Sequence, residues 1–332
     1  MSSLGLAIDT TFDDTSVAVF RAPGTLLAEA TLSQVDAHAA FGGIVPERAS
    51  RQHLEAIHPL LRHTMEEAQV SYEVLDWIAV SHLPGLMGSI LVGLAVAKAM
   101  AFTLSKPLIG VNHIEAHPYA CLLEGGDFAF PALHLVVAGG HTLLILQDDH
   151  FRWRVVGRSL DDAAGECADK VARMFGLPMP GGKHVDRLAR TAAPGAYDFP
   201  RPLLKQSNHD FSFSGLKTAM LRHKEKYGVP DDLGPLMAAF LEAITDVLVE
   251  KTFRARRDLG ARMVTLTGGL AASDVLRQVF ADRAETEGVP LLCPEKRFCT
   301  DNAAMVAVLA ARQFAAGRLA PLDLKAAPNM PL

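Results

Sequence analysis

Short apolar runs separated by polar turns recur along this chain and predict β-hairpins. Residues 4–8 and 16–20 flank the turn DTTFDDT, and residues 133–138 and 143–147 flank the turn GGHT. A third apolar run, residues 262–266, ends in TGGLAAS and leads into a helix. Because a strand that ends in a turn rich in glycine or hydroxyl groups appears three times, we expect an internally duplicated α/β fold.

Periodic apolar positions predict helices between these strands. GGIVPERASR, residues 42–51, is predicted as a loop that enters a helix. Residues 77–81 predict a buried strand, followed by a glycine turn at 84–88 and a small-residue helix over 89–105. A strand, a glycine turn and a helix N-terminus form a general anion-binding arrangement. Residues 107–111 predict a further strand.

An acidic segment lies between the second and third turns. DDAAGE and the Asp169-Lys170 pair put acids three and four residues apart on a predicted helix. PGG, residues 180–182, is predicted as a loop before a helix that Asp186 opens. Such acids could hold a metal, a ribose or a substrate amine, although a solvated acidic helix is more common. Residues 208–217 predict either a strand and turn or a recognition loop.

The turns also predict a nucleotide site. Glycine pairs in the second and third turns let a phosphate approach the backbone N–H groups closely. Hydroxyl groups in the first turn could hold phosphate, while its carboxylates could hold a divalent cation. We therefore expect a nucleotide between the two halves of the fold.

Composition fits a globular enzyme of one large or two medium domains, with 332 residues, 49% apolar and 21% charged. The net charge of -5 means that a nucleic-acid role would use a local basic patch or a partner's surface. Four cysteines form no CxxC pair, which excludes a Cys₄ zinc site and suits a reducing compartment. We see no signal peptide, and residues 89–104 look too short for a membrane span, so we expect a cytoplasmic protein.

GVNHIEAHPYA, residues 110–120, is the candidate metal-binding segment. His113 and His117 are four residues apart, so both imidazoles would face one side of a helix. Glu115 would point away from both, whereas a zinc peptidase needs its glutamate directly after the first histidine. A pair needs a third ligand, and Asp301 before the last helix is the candidate. Alternatively, Thr300 or Asp301 only caps that helix.

Nine motifs, in this order, resemble those of the TsaD family of tRNA threonylcarbamoyladenosine transferases. The shared blocks are DTTFDDT, GGIVPERASR, PGLMGSILVGLAVAKAMA, GVNHIEAHPYA, VVAGGHT, DDAAGECADKVAR with PGG, FSFSGLKTA, GGLAAS and CTDNAAMVA. The resemblance runs from about residue 4 to residue 312. Its specificity lies in the joint occurrence of the motifs.

The resemblance implies an α/β, duplicated, two-lobed actin/hexokinase-like (ASKHA) fold with the ligand site between the lobes. On this basis we expect an N-terminal lobe at 1–128 and a C-terminal lobe at 129–332. The C-terminal lobe would carry an inserted segment at about 150–235, and the helix at about 301–317 would pack at the lobe interface.

The resemblance also implies transfer of a threonylcarbamoyl group from threonylcarbamoyl-AMP to N6 of adenosine 37, in tRNAs that read codons beginning with A. One Fe²⁺ or Zn²⁺ would be held by His113, His117 and Asp301. The implied adenylate-binding residues are Val136, Val137, Ala138, Gly139, Gly140, Asp169, Gly182, Asp186 and Ser273. The implied partners are tRNA, a TsaB-like paralogue and a TsaE-like ATPase. Binding of ATP with Mg²⁺ is left open.

Four residues depart from the family pattern. Phe12 stands in place of a cysteine, and Asp14 is one methylene shorter than the usual glutamate. Leu83 replaces the first glycine of a usual Gly-Pro-Gly. Ser273 stands where asparagine is usual, so an amide contact to the nucleotide would become a hydroxyl contact.

Two other functions remain open: a non-catalytic nucleotide-binding scaffold subunit and a metallopeptidase. An open metal site argues against the scaffold, and the position of Glu115 argues against the peptidase. For the transferase a general base is desirable, because the adenosine amine is a poor nucleophile. Asp13 and Asp169 are the candidates.

Overall fold

Each of two compact units is built on a five-stranded sheet. The computed structural model describes residues 2–39, 41, 43–123, 125–193 and 195–329, so Gly42 of the predicted loop lies outside the described residues. The first unit is Met1–Asp127 with Thr300–Leu332, and the second is Phe128–Cys299. The lobe boundary expected at residues 128 and 129 stays a prediction.

The two sheets have the same strand order. The strands are β1 (Leu4–Asp9), β2 (Asp14–Arg21), β3 (Thr25–Ser33), β4 (Trp77–Leu83), β5 (Leu108–Asn112), β6 (Ala132–Ala138), β7 (His141–Asp149), β8 (Arg152–Arg158), β9 (Met263–Thr267) and β10 (Leu291–Leu292). The first sheet has the order β3-β2-β1-β4-β5, and the second has β8-β7-β6-β9-β10. In each sheet, read in this order, the first two pairs of neighbouring strands are antiparallel and the last two are parallel. The predicted internal duplication is therefore confirmed.

Helices cover the sheets. They are α1 (Val35–Ala39), α2 (Pro46–Ala68), α3 (Met87–Leu104), α4 (His113–Ala116), α5 (Ala164–Met174), α6 (Gly181–Ala189), α7 (Ser214–Tyr227), α8 (Gly234–Leu259), α9 (Asp274–Glu287) and α10 (Ala303–Ala315). Leu6 and Ile8 of β1 pack with Ile57 of α2 and Val92 of α3, while α10 packs against β1 and β2. Cover on both sides explains why β1 is buried along its whole length.

Several predicted boundaries are corrected. Within the segment 42–51, predicted as a loop that enters a helix, the helix begins at Pro46, a residue favoured in a first helical turn because it has no N–H to satisfy. α5 begins at Ala164, so the acids of DDAAGE only partly lie on it. α6 begins at Gly181, so PGG is not wholly a loop and Asp186 lies inside the helix.

The segment 208–217 is a loop that enters α7 at Ser214. Phe211 makes one isolated bridge with Ser159, so no regular strand forms there. The carboxylate of Asp161, which precedes α5, accepts hydrogen bonds from the backbone N–H groups of Phe213 and Ser214 at 2.8 and 3.2 Å. This acid therefore fixes the start of α7.

Helix α3 is longer than predicted. By length and apolar composition it is the one helix in the described chain that could cross a membrane. It packs against β4 and α2, and the N–H of Gly93 donates to Thr10 Oγ1 at 3.2 Å. A side chain at Gly93 would collide with this threonine, so the glycine allows the close approach.

Candidate functional site

His113 and His117 lie where α4 passes into a 3₁₀ turn over His117–Leu122. The side chain of Asn112 caps α4 by accepting from the N–H of Ile114 at 2.9 Å, and Pro118 favours the following turn. The expected single helix is therefore one α-turn followed by a 3₁₀ turn. The two imidazoles are still neighbours, with ring centroids 4.9 Å apart, and both are buried.

Asp301 reaches both histidines. The cap of α10 is Asn302, whose Oδ1 accepts from the N–H of Met305 at 2.9 Å, so the alternative in which Thr300 or Asp301 only caps this helix is wrong. Asp301 instead places Oδ1 3.4 Å from His113 Nε2 and 3.5 Å from His117 Nε2. Its side chain is 21% exposed, against 1% for each histidine. The carboxylate therefore forms the accessible side of the cluster.

These three residues fit a divalent metal. One ligand atom from each can be chosen so that all lie within 4.8 Å of one another. Tetrahedral ligands at about 2.1 Å from a zinc ion are about 3.4 Å apart, close to the two separations from Asp301. Two imidazoles and one carboxylate also match the donor set of non-haem iron. The spacing and the donor types therefore suit either ion.

Asp9 orients His113 by contacting Nδ1, the ring nitrogen that does not face Asp301. Its Oδ2 accepts from His113 Nδ1 at 2.7 Å, and its Oδ1 accepts from the N–H and hydroxyl of Thr11 at 3.0 and 2.8 Å. Because Asp9 holds Nδ1, Nε2 is the nitrogen that faces Asp301, and a metal ion bound there would replace the Nε2 proton. Burial opposes a charge on His113, but Asp9 and Asp301 outweigh it and raise its pKa to about 10. The site thus stabilises positive charge.

Two acids of the first turn lie in the field of Asp301. Burial and the negative charge of Asp301 raise the pKa of Asp13. Burial, followed by the charges of Asp301, Asp13 and Asp9, raises the pKa of Asp14 to about 7, although a hydrogen bond from Ser33 lowers it. A general base works best when its pKa is near the operating pH. The pKa of Asp14 therefore suits a base near neutral pH, and the pKa of Asp13 is shifted in the same direction.

Sequence reasoning included Asp9 only among the carboxylates of the first turn, missed its contact with His113, and did not consider Asp14 as a base. Asp9 ends β1, which lies parallel to β4, and β4 lies parallel to β5, the strand that leads to His113. Side chains that follow neighbouring parallel strands meet at one edge of a sheet. An acid at the end of the first apolar run was the signal that could have identified Asp9.

The second unit contains the candidate nucleotide residues. Val136, Val137 and Ala138 end β6 and are buried, so only their backbone could meet a ligand. Gly139 and Gly140 form the following turn, and a Cβ added at either would find no atom within 4 Å. The turn is thus open to an approaching group.

Asp169 holds the start of α6. Its Oδ1 accepts from the N–H of Gly182 at 3.0 Å. Burial raises its pKa, while the N–H groups of Gly182 and Gly181 lower it. A Cβ at Gly181 would lie 2.3 Å from the Cβ of Ala172, so α5 and α6 can approach only with glycine there. Because its carboxylate already caps a helix, Asp169 is less suited to act as a base.

Asp186 and Ser273 contact each other. Ser273 Oγ donates to Asp186 Oδ1 at 2.5 Å and accepts from the N–H of Leu276 at 3.1 Å, which caps α9. Asp186 Oδ2 lies 3.4 Å from Arg190 Nε. The one hydroxyl proton of Ser273 is therefore already used.

The turn after β9 meets the end of β6. Gly268 has φ +94°, and a Cβ there would lie 2.5 Å from the carbonyl carbon of Val137. A Cβ built on Gly182 would lie 3.9 Å from Leu270 of the same turn. A Cβ built on Gly165 would lie 3.5 Å from the carbonyl oxygen of Gly139. These contacts link the segments that carry the nucleotide candidates within the second unit.

Comparisons with known proteins distinguish between the candidate functions. A family model described as tRNA N6-adenosine threonylcarbamoyltransferase matches residues 25–308. A protein of that name from Syntrophotalea carbinolica is 46% identical over 330 residues, which are 98% of this chain and 96% of the relative. Its counterpart from Geobacter sulfurreducens is 46% identical over 99% of this chain and 97% of the relative. These names favour the transferase over the scaffold and the peptidase.

A solved structure supports the fold. HypF from T. kodakarensis matches 96% of this chain and 49% of its own, with a TM-score of 0.65 and 11% sequence identity. This chain thus spans about half of HypF, and so low an identity concerns the fold alone. Together with the repeated strand order, the likeness confirms the predicted duplicated α/β fold of the actin/hexokinase-like type.

Proposed function

Because this chain belongs to the tRNA N6-adenosine threonylcarbamoyltransferase family, we propose that it moves the threonylcarbamoyl group of threonylcarbamoyl-AMP to N6 of adenosine 37 and releases AMP. The acceptors are tRNAs that read codons beginning with A. Relatives that align over nearly the whole chain make it an enzyme of tRNA modification. The shared motifs support the donor and the modified position.

His113, His117 and Asp301 hold one Fe²⁺ or Zn²⁺ in this proposal. The observation that carries it is the convergence of their ligand atoms within 4.8 Å. Such an ion supplies Lewis acidity, which polarises a carbonyl group. Three protein ligands leave coordination positions for a substrate. Asp9 keeps His113 in the tautomer that presents Nε2.

Backbone groups of the second unit bind the AMP moiety. The turn of Gly139 and Gly140 is open, and N–H groups of such a turn accommodate phosphate oxygens. They also stabilise negative charge that develops as AMP leaves, because they are held in place beforehand. The other contacts are assigned to Val136, Val137, Ala138, Asp169, Gly182, Asp186 and Ser273.

Asp13 is the better of the two candidate bases. Its raised pKa suits it to take a proton from N6 of adenosine, and it lies in the field of Asp301. Asp169 has a raised pKa too, but its Oδ1 already accepts from Gly182. The adenosine is reachable because an anticodon-loop base is not locked in a duplex.

The family resemblance supports the proposed partners and location. These are tRNA, a TsaB-like paralogue and a TsaE-like ATPase in the cytoplasm. An acidic chain binds tRNA weakly unless basic side chains are concentrated locally, and a partner can add to them.

A paired measurement of metal content and transfer tests this function. Wild type, Asp301→Ala and the control Asp323→Ala, an exposed acid of the C-terminal segment, are compared. We expect near-stoichiometric iron or zinc and transfer to tRNA in wild type and control. Asp301→Ala should lose most of both. Full transfer activity by Asp301→Ala would remove the metal from the proposal, and absence of transfer by a metal-loaded wild type with its partners would contradict the function.

A further inference from the structure

The outward face of α6 carries a row of basic side chains. Lys183, Arg187 and Arg190 are exposed, and their spacing of four and three residues places them on one face. Val185 lies on the opposite face and is buried, and Asp186, beside the row, is buried too. One short helix thus carries exposed cations and, beside them, the buried Asp186, a candidate residue for binding the adenylate substrate.

Helix stability does not explain the position of Lys183. It lies in the first turn of α6, which contains no acidic residue of its own. The N-terminus of a helix carries partial positive charge, so acids stabilise this turn and a lysine there is unfavourable. Asp169 accepts from Gly182 at this turn, but it makes no ion pair with Lys183. The arrangement instead creates a positive surface that suits an anion.

Two cations of the row have no acid beside them. Throughout the described ranges, no carboxylate oxygen lies within 4.0 Å of the charged groups of Lys183 or Arg187. Arg187 Nη2 lies 3.4 Å from His184 Nδ1, which is not an acid. Arg190, in contrast, pairs with Asp186 and Asp274. Lys183 and Arg187 therefore have their charge available for an external ligand.

We propose that Lys183 and Arg187 bind backbone phosphates of the tRNA next to the modified adenosine. The inference rests on the proposed function. α6 also carries Gly182 and Asp186, and its rise of about 1.5 Å per residue keeps all four residues within about 8 Å along the axis. The chain has a net charge of -5, so its tRNA contacts require such a local basic row.

The salt dependence of tRNA binding to the full-length protein tests this surface. Lys183→Gln with Arg187→Gln removes two charges but keeps polar side chains. We expect the slope of log affinity against log salt to fall by about 1.4 to 1.8, since each phosphate contact contributes about 0.7 to 0.9. The matched control is Arg222→Gln with Lys226→Gln, an exposed pair with the same spacing on α7. The control should leave the slope unchanged.

Measuring AMP binding distinguishes the two phosphates that the row could bind, those of the tRNA backbone and that of the AMP moiety. The α6 variant should bind AMP as wild type does and melt at the same temperature. If the α6 variant lost AMP affinity as much as tRNA affinity, the row would bind the threonylcarbamoyl-AMP donor. If the α7 control lowered the salt slope as much as the α6 variant, the effect would be general charge attraction. Either result overturns the inference, as does a wild type that does not bind tRNA at low salt. Transfer by the wild type with its partners is measured separately, so the proposed function can fail or hold independently.

Discussion

At the scale of single residues, Asp9 supports His113, a proposed metal ligand, without belonging to the candidate metal cluster itself. Asp9→Asn keeps the size and the acceptor oxygen but removes the negative charge that faces His113 Nδ1. Loss of such a supporting carboxylate lowers metal affinity about 10- to 100-fold. We expect this decrease in a competition titration with a chelator, with saturation still reached at high metal.

Ser81→Ala is the control for this prediction. Ser81 Oγ donates to Asp9 Oδ2 at 3.3 Å, so its removal leaves the charge of Asp9 in place. Its metal affinity should remain close to that of wild type. An Asp9→Asn protein that binds metal as tightly as wild type would show that the charge of Asp9 does not act through His113.

Ser273 is expected to act through Asp186. Its hydroxyl proton goes to Asp186 and its oxygen accepts from Leu276, so no proton remains for a nucleotide. In a double-mutant cycle on AMP binding, Ser273→Ala should weaken binding in wild type but add nothing to Asp186→Asn. Ser273→Thr keeps the hydroxyl and should restore affinity. Additive losses would indicate a direct contact between Ser273 and the nucleotide.

The members of the candidate metal cluster were easier to predict from the sequence than their surroundings. Spacing indicates His113 and His117, because a local helical turn brings them together. It does not indicate Asp9, which reaches His113 only through the pairing of three strands. Nor does it decide which of Thr300, Asp301 and Asn302 caps α10, since all three are good caps and the backbone chooses.

At the scale of secondary-structure elements, His134 connects three strands of the second sheet. It lies on β6, donates from Nε2 to Gln147 of β7 at 2.8 Å, and accepts at Nδ1 from Thr265 of β9 at 2.9 Å. Burial lowers its pKa from 6.5 to about 4, although the hydrogen bond with Gln147 raises it. The neutral ring therefore fits the folded protein, and the charged ring does not.

This makes folding stability depend on pH. Between about pH 6.5 and pH 4 the unfolded chain binds the proton and the folded chain does not, so stability falls as pH falls. From pH 7 to pH 5 we expect a loss of about 2 kcal/mol from this group. Urea unfolding at both pH values measures it. His134→Asn cannot titrate and should show a loss smaller by that amount; an identical pH dependence would contradict the assignment.

The start of α6 shows why some element boundaries escape prediction. PGG reads as a loop because glycine and proline disfavour helices. In the fold, Asp169 of α5 supplies the cap from outside the helix, and Gly181 is needed for close packing against Ala172. Both reasons are tertiary contacts. Hairpins were predicted more accurately, because alternating runs and their turns are local features.

At the scale of the whole molecule, the repeat of strand order is visible in the sequence as recurring strand-and-turn patterns. The placement of the C-terminal segment is not. Residues Thr300–Leu332 belong to the first compact unit, where α10 packs against β1, β2 and β5. Asp301 therefore meets histidines that are distant in sequence, and this contact joins the two chain segments of the first unit.

Metal binding should consequently stabilise the first unit. An ion that binds only the folded state raises the free energy of unfolding by about 2.7 kcal/mol at a concentration of 100 times Kd. Trp77 lies in the first unit and Trp153 in the second, so a Trp153→Phe variant reports unfolding of the first unit by fluorescence. We expect its melting temperature to rise with added Zn²⁺ or Fe²⁺ and to fall with a chelator.

The same variant combined with Asp301→Ala should show almost no shift, because the ion then loses the ligand that joins the C-terminal segment to α4. Combined with Asp323→Ala, it should shift as before, since that acid is exposed and lies outside the cluster. A shift that survives Asp301→Ala would mean that the ion binds elsewhere in the chain. Loss of the shift in Asp301→Ala alone would show that the ion joins the two segments of the first unit.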